Sequence, residues 1–201
     1  MVRLLLISIL LTFNMSARAE SPVILVLGDS LSAGYGVANG RNWVELLAQR
    51  LEQKKLDYHV VNASISGETT LGGLSRLDEL LARHRPAVLV LGLGGNDGLR
   101  ALPVKTIRQN LDQMIQSARD AGSKVLLLGI RIPPNYGPVY TRAFSDIYGD
   151  LAGRYKLQWV PFLLEGVALK AGMMQADGIH PSESAQPAIL ENVWSQLKPL
   201  L

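Results

Sequence analysis

The sequence contains no cysteine. That absence excludes disulfides, thiolate metal sites, a cysteine nucleophile and amino-terminal lipoprotein attachment. Aromatic residues make up only 6% and charged residues only 18% of the chain. No apolar run approaches the ~20 residues that a membrane-spanning helix requires. An integral membrane protein, a long coiled coil and a highly charged disordered chain are thereby excluded. No run of Lys and Arg stands out, so the linear pattern gives no support for binding nucleic acid or an anionic membrane, and no stable membrane anchor is expected. What remains is 48% hydrophobic over 201 residues, with 19 Gly and 10 Pro. That is one globular domain of ordinary size.

The first nineteen residues read as an export signal. Arg3 supplies the positive start, Leu4 to Phe13 the apolar core, and Ala17-Arg18-Ala19 a small-residue cleavage site. Cleavage after Ala19 removes two of the basic residues, Arg3 and Arg18, and leaves a nearly neutral mature chain over residues 20–201. A periplasmic destination is expected, and a chain without cysteine needs no oxidative folding there.

Apolar runs alternate with segments of helical period. Val23 to Leu27, Tyr58 to Val61, Ala87 to Leu91, Val125 to Ile130 and Leu157 to Val160 read as short strands. The first, third and fourth are nearly continuous in Val, Ile and Leu, as parallel strands covered on both faces require. Between them, Ile107, Leu111, Met114, Ile115 and Ala118 fall on one face of a helix, and Gly122 marks its stop. Leu71, Leu74, Leu77, Leu80 and Leu81 mark a second helix; Ile189, Leu190, Val193, Trp194 and Leu197 mark the last. The alternation predicts a parallel α/β sheet with helices on both faces, and functional groups beyond the carboxyl ends of its strands.

The polar loops sit at those ends. Gly28-Asp29-Ser30-Leu31-Ser32 follows the first strand. A serine at such a turn is either a helix cap or a nucleophile beside free helix N–H groups. Asp177-Gly178-Ile179-His180-Pro181 precedes the last helix. It reads either as a surface turn or as a general base with its orienting carboxylate three residues away. His59 and His84, the other two histidines, read as structural or solvated. Gly67 and Asn96 lie in loops after the second and third strands. Turn chemistry explains each one separately; together, the N–H groups of Ser30 and Gly67 and the Asn96 amide form a donor set suited to a tetrahedral oxyanion.

Four such segments in this order resemble the signature blocks of the SGNH (GDSL) hydrolase superfamily: Gly28-Asp29-Ser30-Leu31-Ser32, Gly67, Gly94-Gly95-Asn96-Asp97 and Asp177-Gly178-Ile179-His180. The flanking residues, including Val61 to Ser66 and Met174 to Ala176, resemble its bacterial periplasmic branch of thioesterases, lysophospholipases and arylesterases. The resemblance implies a flavodoxin-like three-layer α/β/α fold with a five-stranded parallel sheet. It implies Ser30 as nucleophile, His180 as base, Asp177 as its partner, and Ser30, Gly67 and Asn96 as the oxyanion hole, with no metal and no cofactor. Some relatives carry a mobile loop after the Asn block, here Gly98 to Val104.

The expected substrates are small acyl esters, thioesters or lysophospholipids, handled by a monomer. Two competing readings are a carbohydrate O-acetyl esterase of the same superfamily and a periplasmic lipid- or anion-binding module without turnover. For the substrate walls, Pro134 and Tyr136 are expected on one side and Leu99, Leu102 and Pro103 on the other, with Met174 near His180.

Overall fold

The structure, a computed structural model, describes residues 21–201. The leader expected over residues 1–19 lies outside them. Five strands appear where the apolar runs predict them: β1 (Val23–Gly28), β2 (His59–Asn62), β3 (Val88–Gly92), β4 (Lys124–Leu128) and β5 (Gln158–Val160). They form one all-parallel sheet in the order β2-β1-β3-β4-β5.

The period-two alternation of the strands divides the core into two layers. Leu25, Leu27, Leu89, Leu91, Val125 and Leu127 point to one face, where α3 (Thr70–His84), α5 (Val104–Asp120) and α6 (Pro138–Tyr155) cover them. Ile24, Val26, Val88, Val90, Leu126 and Leu128 point to the other, against α2 (Trp43–Gln53) and α7 (Gln186–Leu197). This is the expected three-layer arrangement. Two short helices, α1 (Ser30–Ala33) and α4 (Gly95–Leu99), follow β1 and β3 directly.

The periodicity of α5 and α7 holds, and Gly122 does follow the end of α5 with φ +84°. In α3 the buried stripe runs through Thr70, Gly73, Leu77 and Leu81, while Leu71 is exposed. Leu71 therefore does not belong to the core face. Two helices escape the apolar spacing above. Helix α2 carries its own start signal, since Asn42 and Glu45 form a reciprocal capping box. Helix α6 opens on Gly137-Pro138 and mixes Tyr, Gly and Ala along its length, which blurs the stripe.

The chain leaves β1 for β2 on one side and then crosses to β3 on the other. That reversal opens a cleft beyond the paired ends Gly28 and Gly92. Gly28 is required there by close approach, since a Cβ would lie 2.7 Å from Ser32 Oγ.

Candidate active site

Ser30 opens the single turn of α1. Its neighbour Asp29 is the cap, accepting from Leu31 N–H at 3.0 Å, so the Ser30 hydroxyl is not spent on the helix end. The hydroxyl instead lies 2.8 Å from His180 Nε2. On the far side of the imidazole, Nδ1 is 2.6 Å from Asp177 Oδ2. The other Asp177 oxygen accepts the N–H groups of Ile179 (2.9 Å) and His180 (3.0 Å). These bonds, the imidazole one first, hold the Asp177 carboxyl down at about 2. The ionised carboxylate accepts a hydrogen bond from Nδ1–H and holds the proton on that nitrogen, which leaves the Nε2 lone pair facing the serine hydroxyl.

The loop that carries His180 is pinned from several sides. Met174 and Pro181 form an antiparallel bridge, and Gln175 N–H donates to His180 O at 2.8 Å. The Gln175 amide spans two segments, donating to Pro181 O at 3.0 Å and to Tyr35 O at 2.8 Å. It thereby ties the histidine loop to the chain just past α1. The Tyr35 ring sits 4.4 Å from the imidazole. His59 starts β2 and His84 ends α3, both at the opposite end of the sheet.

Three donors are expected for an oxyanion. The N–H groups of Ser30 and Gly67 make no hydrogen bond within the described residues. Gly67 holds φ +81°, a conformation that favours glycine. Asn96 Nδ2 donates to Glu68 O at 2.9 Å, and its second contact, to Asp29 Oδ2, is long at 3.4 Å. Beside these groups lies a cavity of about 570 Å³, the size of an ordinary small-molecule site. Ser30, Asn96 and His180 line it together with an apolar wall; Gly67 lies outside its lining. Among the described residues no three His, Asp or Glu side chains are grouped to hold a metal ion.

Residues 26–186 match the family model described as the GDSL-like Lipase/Acylhydrolase family. The chain belongs to that family. It is an enzyme, an acyl hydrolase of the esterase class. It is 54% identical to Esterase TesA of Pseudomonas aeruginosa, with 98% of each chain covered. It is 45% identical to the Thioesterase 1/protease 1/lysophospholipase L1 of Escherichia coli K12, covering 96% of this chain and 90% of the relative. The crystal structure of TesA superimposes with a TM-score of 0.87 at 57% identity, covering 89% of this chain and 99% of that one.

Within this acyl hydrolase the cavity takes in three of the six residues expected for the substrate walls. Leu99, Pro134 and Met174 line the cavity. Leu102, Pro103 and Tyr136 do not. Tyr136 turns its hydroxyl back onto Leu99 O at 2.7 Å and packs on the core. Leu102 packs on the same core and its carbonyl accepts from Tyr140 Oη at 2.6 Å. Pro103 caps α5 and is exposed. Their places are taken by Ile130 and Ile132 after β4 and by the stretch from Phe162 to Leu164, with Ala168 and Leu169, after β5. The signal for that stretch was present: an apolar run directly beyond a strand's carboxyl end.

Two buried polar groups also lay hidden. Asp29 is 3% exposed, and burial pushes its carboxyl up to about 6 despite the opposing Leu31 N–H. Asp97 accepts Thr70 N–H at 2.9 Å and Thr70 Oγ1 at 2.6 Å, and Asn110 Nδ2 donates to Thr70 Oγ1 at 3.0 Å. This network fastens the start of α3, and with it the Gly67 loop, to α4, which carries Asn96.

Proposed function

We propose that the chain is a periplasmic serine hydrolase that cleaves carboxylic esters and thioesters through an acyl-enzyme. In this reading Ser30 Oγ attacks the acyl carbonyl while His180 Nε2 takes its proton. Asp177 holds the imidazole's tautomer and balances the charge it gains. The negative charge on the carbonyl oxygen is met by the N–H groups of Ser30 and Gly67 and by the Asn96 amide, whose long contact to Asp29 is easily given up. The imidazolium returns its proton to the leaving alcohol or thiol as the tetrahedral intermediate collapses to the Ser30 ester. Water, deprotonated by His180, then repeats the attack and frees the acid.

The unbroken run Ser30 Oγ, His180 Nε2, His180 Nδ1, Asp177 Oδ2, at 2.8 and 2.6 Å, carries this reading. A pure binding module has no use for a base aligned on a hydroxyl. The apolar wall built from Leu99, Ile130, Ile132, Leu164 and Met174 supports substrates with a hydrocarbon acyl chain, lysophospholipids among them, over acetylated sugars.

The test is an acyl-chain-length series of p-nitrophenyl esters and acyl thioesters on the mature protein, with folded Ser30→Ala as control. Turnover that rises with chain length beyond acetate and disappears in Ser30→Ala is expected. Retained turnover in folded Ser30→Ala defeats the mechanism; preference for acetylated glycans defeats the substrate class.

A further inference from the structure

Among the described residues six large apolar side chains are exposed: Tyr35, Ile65, Leu71, Val139, Leu169 and Ile179. They are not scattered. Each lies beyond the carboxyl end of a strand: Tyr35 after β1, Ile65 and Leu71 after β2, Val139 after β4, Leu169 and Ile179 after β5. The turns at the opposite end of the sheet hold none of them. Leu169 and Ile179 line the cavity itself, and Tyr35 lies against His180. Val139 and Leu169 give almost their full surface to solvent, at 84% and 102%. Single exposed apolar residues are ordinary, but a set confined to the one end of the sheet that holds the cavity marks a surface made to leave water.

The same loops carry exposed cations: Arg41, Arg100, Lys105, Arg131 and Lys170. Their exposed acids are Glu165, which pairs with Arg131 at 3.9 Å, Asp177, which holds His180, and Glu183. The rim is therefore apolar with a surplus of positive charge. No run of Lys and Arg announces this in the sequence, because the residues come from separate loops. Arg119, Lys124 and Lys156 at the far end of the sheet also make a basic patch, but without exposed large apolar neighbours. Only the end that holds the site combines the two properties.

We propose that this rim docks the enzyme, cavity first, on an anionic lipid–water interface. Apolar side chains that enter the acyl boundary shed their hydration, Tyr35 suits the headgroup level, and the cations meet lipid phosphates. No helix among the described residues is long and apolar enough to cross a membrane, so the contact is peripheral. The proposal deepens the acyl-hydrolase reading, since a docked cavity receives an acyl chain directly from the lipid phase; docking itself needs no turnover.

The experiment is sedimentation of the Ser30→Ala protein with vesicles of phosphatidylcholine, alone or mixed with phosphatidylglycerol. Binding to the mixed vesicles, weakened by added salt, is expected. Leu71→Glu combined with Val139→Glu replaces two exposed apolar side chains of this face that lie outside the cavity. It should weaken vesicle binding by about tenfold or more. With Ser30 restored, the same pair should leave kcat/KM on a short water-soluble ester within about twofold. No binding to the mixed vesicles overturns the proposal, as does equal binding by the Glu pair, or self-association through this face without lipid binding. A failure of the serine mechanism would show separately, as ester turnover that survives Ser30→Ala.

Discussion

Ser30 Oγ lies 2.8 Å from His180 Nε2 although 150 residues separate the two in the chain. Two ties enforce the meeting. The Gln175 amide joins the loop after α1 to the loop of His180. Deeper down, Gln186 at the start of α7 accepts the buried Trp43 N–H of α2 at 3.1 Å, and the Trp43 indole donates to Leu31 O at 3.0 Å. The first turn and the last helix are thus fixed to the same tryptophan. A half-buried pair of side chains gains its precision from buried ones.

Asp177 tests how much of the site is orientation. Its side chain is partly exposed and its partners are His180 and two backbone N–H groups, so Asp177→Asn should fold normally. With the amide oxygen kept by the Ile179 and His180 N–H groups, its NH2 faces Nδ1, favours the wrong imidazole tautomer and brings no charge to balance the imidazolium. We expect kcat to fall by roughly 10³-fold or more with KM little changed. Steady-state kinetics alongside thermal unfolding measure both effects, and an unchanged kcat removes Asp177 from the mechanism. With its carboxyl held at about 2, protonation of Asp177 adds nothing to a pH–rate profile above roughly pH 4.

Asp29 works in the opposite direction. Its carboxyl is raised to about 6 by burial, from an ordinary value of 3.8. Between those two values the folded chain keeps a proton that the unfolded chain has released, so stability falls as pH rises and levels off above the folded value. The loss amounts to about 3 kcal/mol. Asn at this position keeps the cap on Leu31 N–H and carries no proton to lose. The stability of Asp29→Asn relative to the parent should therefore climb from about pH 4 to about pH 7. Denaturant unfolding at both pH values checks this; a pH-independent difference refutes the burial argument.

Much of this was legible in the residues alone. Short apolar runs, three of them nearly continuous in Val, Ile and Leu, located all five strands, and the rule of carboxyl-end loops singled out Ser30, Gly67, Asn96, Asp177 and His180 as candidates. Short-range chemistry announces itself: Asp177 and His180 sit three residues apart on a turn that Gly178 permits at φ +67°. Groups assembled from distant segments do not. The burial of Asp29, the Thr70–Asp97–Asn110 network and the wall after β5 each depend on how separate loops stack. Tyr136 lies outside the cavity for the same reason: its hydroxyl donates to a backbone carbonyl, Leu99 O, and its ring packs on the core.

That network yields its own prediction. Thr70 is fully buried, and its hydroxyl both donates to Asp97 and accepts from Asn110. Thr70→Val keeps the shape and strands both partners, at a cost of about 2–4 kcal/mol. Because the network ties the Gly67 loop to the helix of Asn96, kcat should fall with little change in KM. Thr70→Ser restores the hydroxyl and should recover most of kcat as well as the melting temperature. Loss of stability without loss of kcat would show the network to be scaffold only.

The cavity wall gives the substrate reading its sharpest check. Leu164 is nearly buried, lines the cavity, and is backed by the core on the α2/α7 side of the sheet. A larger side chain there has two places to go. Pointing into the cavity, Leu164→Trp takes volume from the acyl chain and leaves the hydrogen-bonded groups at Ser30 untouched. Then kcat/KM for a long-chain ester should drop by about tenfold or more, while an acetyl ester stays within about twofold. Pointing into the core, it overpacks and costs about 1–3 kcal/mol of stability with both esters affected alike. Thermal unfolding and the two esters, measured on one preparation, separate these outcomes, and a variant that loses neither long-chain activity nor stability would place the acyl chain elsewhere.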